Sequence, residues 1–309
     1  MSTLPPHPHP INTYDTSSLL ARFMPDTSAF DKLRRVGSEW FFIVAVEQMY
    51  VHFTQGIPPS RATAHSCLYL TSGTARMRIG NETYTIHPQQ MLVVRAGQVY
   101  SFEAGDENTG FLLHFHDGML LSKTSPTDAS TPFEFLQFWG RPYIELDSQT
   151  AGFVENVLQR LLTEFNTHEL QYPDILRAYL LALLHELNRA YTAVPTPPLS
   201  SALTITNRFK HLVATSLKSA HSISEYANLL HITPNHLTKS VRTVTGKSPT
   251  KWLEETVVLE AKALLFQSTL SVAEIASEVG VADPSYFSRL FKKHAGVSPL
   301  AFRRMSEKS

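Results

Sequence analysis

Arg289, Lys292 and Lys293 fall on the same side of one short stretch as Ser285, Tyr286 and Ser288, while Phe287, Leu290 and Phe291 fall on the other. At helical spacing this gives one buried side and one basic, hydrogen-bonding side. A guanidinium such as Arg289 can grip guanine at two points, worth about 1–3 kcal/mol in discrimination. Ammonium groups instead meet phosphates, which position a protein on a duplex without reading it. An earlier stretch, N-H-L-T-K-S-V-R-T-V-T-G from Asn235, has the same layout. Leu237, Val241 and Val244 are expected to face inward there, leaving Asn235, His236, Thr238, Lys239 and Arg242 outside. The chemistry these residues suit is recognition of a polyanion.

Both stretches need a scaffold, and the neighbouring residues supply one. Ser271 and Glu274 form a capping box, Ala273, Ile275, Ala276 and Val279 an apolar stripe, and Gly280 a stop that tolerates left-handed backbone. Asp283 then caps a new helix, with Pro284 at a position that needs no amide donor. Thr233 and Pro234 do the same in the first stretch. Two short helices joined by a tight turn form a helix-turn-helix unit that can enter a DNA major groove. A plain helical hairpin would show the same caps, but here the unit is duplicated. Ser222-Ile-Ser-Glu-Tyr-Ala227 matches Ser271-Val-Ala-Glu-Ile-Ala276 at an offset of 49, and Gly246-Lys-Ser-Pro249 matches Gly296-Val-Ser-Pro299 at 50. Trp252 corresponds to Phe302, and Leu237 and Val241 to Phe287 and Phe291. Two readers one helical turn apart, roughly 34 Å, would meet successive major grooves on one face of a duplex.

The run I-A-S-E-V-G-V-A-D-P-S-Y-F-S-R-L-F-K-K-H-A-G-V-S-P-L-A-F-R resembles the DNA-binding domain of AraC/XylS-type transcription regulators, over about residues 205–305. The resemblance implies base-reading roles for Asn235, Thr238 and Lys239 in the first unit and Ser285, Tyr286 and Arg289 in the second. Lys218, Arg242, Lys292 and Lys293 are assigned to phosphates; for Lys218 a simply solvated charge fits equally well. Three positions depart from the family pattern: Val281 where phenylalanine is usual, Val241 where an aromatic is common, and Val257 near a frequent arginine. All three read as packing substitutions. The helix expected from Thr250 to Gln267 should set the spacing between the readers.

The chain of 309 residues is formally neutral, but the charge is divided. From Leu203 onward there are 14 Lys and Arg against 8 Asp and Glu, leaving 13 against 19 before it. A basic carboxyl-terminal third on an acidic remainder suits a polyanion reader joined to a module that avoids DNA. Cys67 is the only cysteine, so an internal disulfide or a thiolate zinc site is ruled out, in keeping with a reducing cytoplasm. No apolar run reaches the length of a membrane span, and the amino terminus lacks the pattern of a signal peptide.

Residues 1–30 read as a proline-rich arm, whose His7 and His9 are weak evidence for a metal. From Glu39 to Asp117 the period is two: Trp40–Glu47, Tyr50–Phe53, Cys67–Thr71, Ala75–Ile79, Thr83–Ile86, Met91–Val94, Tyr100–Phe102 and Phe111–Phe115 read as strands. Ser72-Gly73, Gly80-Asn81 and Ala96-Gly97 supply turns. Many short strands between tight turns predict a small antiparallel barrel. L-Y-L-T-S-G-T-A-R-M-R-I-G and I-H-P-Q-Q-M-L-V-V-R-A-G-Q-V-Y-S-F look like the cupin-type sensor domain of the same regulators.

A cupin raises the question of a catalytic metal. His114 and His116 are expected on one side of a strand, with His52, His65 and His87 elsewhere in the sheet. A cupin metal site resembles an early pair of histidines followed by a glutamate; here the pair comes late and the strand at His65 carries no glutamate. No metal and no cofactor is therefore assigned. Trp40, Phe42, Tyr50, Tyr69, Tyr84 and Tyr100 can line a pocket for an organic effector, and they serve equally to fill a core. Two helices follow between residues 149 and 191, striped by Phe153, Val157, Leu161 and Phe165 and by Leu176, Leu180, Leu183 and Leu187. In the resembling family such helices form a dimer. A Pro/Ser-rich linker at 192–204 separates a cupin-like part (31–191) from the helical part (205–309).

The expected fold is thus α+β, a cupin-like antiparallel barrel with two flanking helices joined to an all-α domain with two helix-turn-helix units. The expected partners are double-stranded DNA, a small-molecule effector, a second copy of the chain and RNA polymerase, with no membrane. A cupin metalloenzyme with a helical appendage is the alternative, and bound iron, zinc or manganese would mark it.

Overall fold

A computed structural model describes residues 40–50, 56–102, 105, 107–120, 133–136, 141–193, 201–219 and 222–307. The proline-rich arm with His7 and His9, and His52 and Phe53, lie outside them.

Among the described residues, nine antiparallel strands build two sheets. The larger has the order β1 (Phe41–Ala45), β8 (Asn108–Phe115), β3 (His65–Gly73), β6 (Gln90–Val94) and β9 (Tyr143–Glu145). The smaller has β2 (Ile57–Arg61), β7 (Val99–Phe102), β4 (Ala75–Ile79) and β5 (Glu82–Ile86). Alternation decides which side chain goes where. Leu68, Leu70, Leu92 and Val94 of the larger sheet meet Ala75, Met77, Ile79 and Ile86 of the smaller, and these residues form the barrel core. Cys67, Tyr69, Met91, Val93, Phe111, Leu113 and Phe115 take the opposite side, under two long helices. Gly80 and Asn81 make the two-residue β4–β5 turn, with Gly80 left-handed at φ 59°, as expected for a tight hairpin.

The helices are α2 (Ser148–His168) and α3 (Pro173–Ala193), after a short α1 (Val46–Tyr50). Asp147 caps α2 by accepting from the Thr150 amide at 2.8 Å. Val154, Leu158, Leu161 and Phe165 of α2 and Leu176, Leu180, Leu183 and Leu187 of α3 are buried in one core with the sheet. Phe153, expected in the buried stripe, is 47% exposed, because the sheet-facing side is centred one residue further on, at Val154.

Several boundaries differ from expectation. The first strand stops at Ala45, and Val46–Tyr50 is helical where a strand had been read through Glu47 and again from Tyr50. β3 runs through Gly73, beyond the expected turn at Ser72. β8 ends at Phe115, so His116 is not a strand partner of His114; its ring instead caps a single 3₁₀ turn over Asp117–Met119, accepting from the Gly118 amide.

The carboxyl-terminal part is all helix: α4 (Ser201–Ser216), α5 (Ile223–Leu229), α6 (Pro234–Thr245), α7 (Pro249–Gln267), α8 (Val272–Glu278), α9 (Pro284–Ala295) and α10 (Pro299–Glu307). Since α3 runs to Ala193 and α4 begins at Ser201, helix occupies both ends of the stretch read as linker. Phe209, Val213, Tyr226, Leu237, Val241 and Trp252 form the core of the first unit. Val257, Val258, Ala261, Leu264, Ile275, Phe287 and Phe291 form the core of the second, with Val281 and Phe302 packed against it. The departures at Val241, Val257 and Val281 are thus side chains in these cores.

Helix α7 is apolar nearly all round because it is covered on two sides. One side holds the helix-turn-helix units. The other meets the smaller sheet, where Leu259 and Ala263 close over Val99. Polar groups surround that contact. The Arg61 guanidinium donates to Glu260 and to the Gly97 carbonyl, and the Arg61 amide donates to Gln267 Oε1 at 2.6 Å. Asn81 donates to Thr256 Oγ1 at 3.0 Å, and Lys210 to Glu82 at 2.8 Å.

Candidate functional site

The two helix-turn-helix units are built alike in their caps and turns. Ser222 with Glu225 and Ser271 with Glu274 both close capping boxes. Thr233 caps α6 by accepting from the His236 amide, and Asp283 caps α9 by accepting from the Ser285 amide, each with a proline at the helix start. Gly246 and Gly296 end these helices in left-handed backbone, at φ 69° and 78°. The turn inside each unit is closed by matching bonds, Ile232 amide to Ala227 carbonyl at 3.0 Å and Val281 amide to Ala276 carbonyl at 2.8 Å.

The outer faces are open. Asn235, Lys239 and Arg242 on α6 are exposed, and Thr238 is half-buried. Ser285, Tyr286, Arg289, Lys292 and Lys293 on α9 are exposed, Tyr286 at 46% in spite of its large ring. Ser288 donates to the Pro284 carbonyl at 2.9 Å, so its hydroxyl is engaged with the helix backbone. Val244, expected inside, is 37% exposed, and Ser240 is buried in its place. Ser240 is the counterpart of Leu290, so the inward side of α6 is Leu237, Ser240 and Val241.

Two of the cations assigned to phosphates hold internal partners. Lys218 Nζ lies 2.7 Å from Glu278. Lys293 Nζ and His294 Nε2 both lie 3.0 Å from Glu254 on α7. Burial alone would raise the Glu254 carboxyl, but the hydrogen bonds from His294 and Lys293 win and hold it below its usual range. Lys239, Arg242, Arg289 and Lys292 have no ion-pair partner among the described residues. These ties, and the docking of α7 on the barrel, were not anticipated from the sequence. The available signal was Leu259 and Ala263, apolar residues of that helix outside the cores of the two units.

The aromatic residues read as pocket lining separate into groups. Tyr84 and Tyr100, with Phe102 and Leu112, pack on the barrel core as half-buried side chains. Burial pushes the Tyr100 hydroxyl up to about 12, and the Tyr84 hydroxyl, which donates to Glu82, is raised as well. Phe42 stacks on His114 with ring centroids 4.7 Å apart, and Ser66 Oγ is 3.0 Å from His114 Nδ1. Burial, reinforced by His65 and His116, pushes His114 down to about 3, so its ring stays neutral. Trp40 is half exposed and lies against Gly118, where a Cβ would sit 2.2 Å from the indole. Tyr69 does not share the barrel interior: its ring faces the helices and its hydroxyl donates to Glu155 of α2 at 2.7 Å. Tyr50 closes α1, and its side chain is outside the described set.

His65 is fully engaged. Its Nδ1 accepts from the Ala96 amide, which fixes Nε2 as the donor to Asp117 at 2.9 Å. Among the described residues no three His, Cys, Asp or Glu side chains come together as a metal site.

Two family profiles match the chain. "AraC-like ligand binding domain" covers residues 50–193 and "Helix-turn-helix domain" covers 226–305. The chain belongs to the AraC family. Among AraC-family relatives it is similar to the HTH-type transcriptional activator RhaR of Escherichia coli (strain K12), at 27% identity over 168 residues, 54% of this chain and 59% of that one. The chain thus spans under two thirds of the length of the curated relatives it matches. Such relatives are transcription regulators rather than enzymes. Among solved structures it is similar to ToxT from Vibrio cholerae O395 (14% identity, 86% of this chain and 97% of that one, TM-score 0.42). It is also similar to the C-terminal domain of AraT from Geobacillus stearothermophilus (28% identity, 35% of this chain and 88% of that one, TM-score 0.32).

Proposed function

We propose that this AraC-family chain is a sequence-specific regulator of transcription that lays α6 and α9 into successive major grooves of double-stranded DNA. The observation that carries this reading is the duplicated unit, with matching caps, matching turns and two exposed basic faces. Asn235, Thr238 and Lys239 read bases in one groove, and Ser285, Tyr286 and Arg289 in the next. Arg242 and Lys292 neutralise phosphates, with Lys218 and Lys293 able to join them only by leaving their carboxylate partners.

The barrel is the sensor. A small, largely apolar effector binds beside the half-buried Tyr84 and Tyr100, and it alters transcription by favouring one domain arrangement over another. A second copy of the chain docks on the helices α2 and α3, where Phe153 and Ile175 stand exposed. RNA polymerase is the further partner on the promoter, in the cytoplasm. No helix among the described residues is long and apolar enough to cross a membrane.

Gel-shift titration against genomic fragments tests the reading. Retention of particular fragments that weakens steeply with salt, and falls about 10-fold or more in Arg289→Ala, is expected. Equal retention of every fragment, unchanged by Arg289→Ala, contradicts it.

A further inference from the structure

One carboxylate touches both halves of the molecule. Glu82 stands at the start of β5, on the barrel side that carries Tyr84 and Ile86. It accepts from the Tyr84 hydroxyl, and its other oxygen accepts from Lys210 Nζ of α4 at 2.8 Å. The same ammonium lies 4.4 Å from the ring centroid of Trp252, with Lys247 Nζ at 5.8 Å from that ring. Trp252 is buried in the first helix-turn-helix core with Leu237 and Val241, the two residues that seat α6. An unbroken series of contacts therefore joins an aromatic side chain on the barrel core to the core that seats the first reading helix. The second unit meets the barrel by a different route, through α7: Val257, Ala261 and Leu264 of its core share that helix with Glu260 and Gln267, which bond Arg61, while Phe302, the counterpart of Trp252, packs on Phe291.

We propose that Glu82 is a positioning residue that couples the state of the barrel to the first reading unit, selectively over the second. When Glu82 is held between Tyr84 and Lys210, the ammonium is fixed over Trp252 and α6 is seated. A molecule that takes the Tyr84 hydroxyl releases one of the two donors to Glu82, the carboxylate turns, and Lys210 loosens over Trp252. The unit built on α5 and α6 is then less firmly held while the one built on α8 and α9 is untouched. This deepens the sensing role given to the barrel above, and it is tested on the ligand-free chain so that the two ideas fail separately.

The test is amide hydrogen exchange on the full-length chain, comparing Glu82→Gln, Lys210→Met and the double variant with the parent. In both single variants, amides of α5 and α6 are expected to exchange about three- to fivefold faster, as fits loss of a part-exposed ion pair and its cation–π contact. Amides of α8 and α9 should not change, and the double variant should match the single ones. Faster exchange confined to β4 and β5, or shared equally by both units, overturns the proposal, as does simple additivity. Tyr84→Phe serves as a milder probe should Glu82→Gln unfold the barrel: it removes only one donor and should shift α5 and α6 in the same direction, and no shift there overturns the proposal. Failure leaves open whether the barrel binds an effector, which calorimetric screening of the parent decides by itself.

Discussion

Lys218 Nζ lies 2.7 Å from Glu278 Oε1, so the segment after α4 in the first helix-turn-helix unit is tied to α8 in the second. That tie spans the two readers and competes with any phosphate for the same ammonium. Both side chains are partly exposed, so the pair is worth at most about 1 kcal/mol. Lys218→Ala is expected to leave the slope of log affinity against log salt unchanged, whereas Lys292→Ala should reduce it by about 1. A reduced slope in Lys218→Ala would assign that lysine to the DNA.

His231 and Gly280 occupy the same left-handed turn position of the two units, at φ 57° and 79°. Left-handed backbone costs a side-chain-bearing residue roughly 1–2 kcal/mol, of which glycine's greater freedom when unfolded returns about 0.5–1. His231→Gly should therefore stabilise the protein by about 0.5–1 kcal/mol, and Gly280→Ala should destabilise it by a similar or larger amount. Thermal unfolding of the full chain measures both, and a lower midpoint for His231→Gly would count against the turn geometry.

The duplicated unit was legible because every local signal agreed: capping boxes, Pro at the helix start, Gly at the end, and apolar residues at equal spacing in both copies. The barrel was legible as a class from its alternation, and the alternation of Arg76 and Arg78 with Ala75, Met77 and Ile79 holds in β4. What escaped the sequence was anything set by contacts between distant segments. Tyr69 in β3 and Tyr84 in β5 are the same residue type in the two sheets, yet one faces helix α2 and the other the barrel core, a difference set by which face of each sheet is covered. Val244 lies within the apolar spacing of α6 but stands exposed, while Ser240, one turn earlier, is buried. The docking of α7 on the smaller sheet depends on Arg61 and Gln267, separated by 206 positions, and no local pattern links them.

His114 makes the barrel sensitive to acid. Its folded-state pKa, near 3, lies below the ordinary value of 6.5, so the unfolded chain binds the proton more readily between those limits. Stability contributed by the neutral ring is complete above about pH 6.5 and is lost progressively as pH falls towards 3. Urea unfolding midpoints of the parent should drop over this range, and His114→Gln should flatten that dependence. An unchanged slope in the variant would mean that other groups govern it.

Glu254 holds the end of the second reader through Lys293 and His294. Glu254→Gln keeps the side-chain shape and removes the charge, freeing Lys293 for a phosphate. The variant should gain salt dependence in DNA binding, with a slope steeper by about 1, while its base preferences stay as in the parent. Altered base preference would show instead that Glu254 orients α9.

The most direct measurement is hydroxyl-radical footprinting of the full chain on a DNA fragment that it retains. Two protected patches on one face of the duplex, about 10–10.5 base pairs apart within one bound chain, are expected. Lys239→Ala should weaken one patch and Arg289→Ala the other. A single patch, or two patches that weaken together whichever residue is changed, would contradict the account of two independent readers.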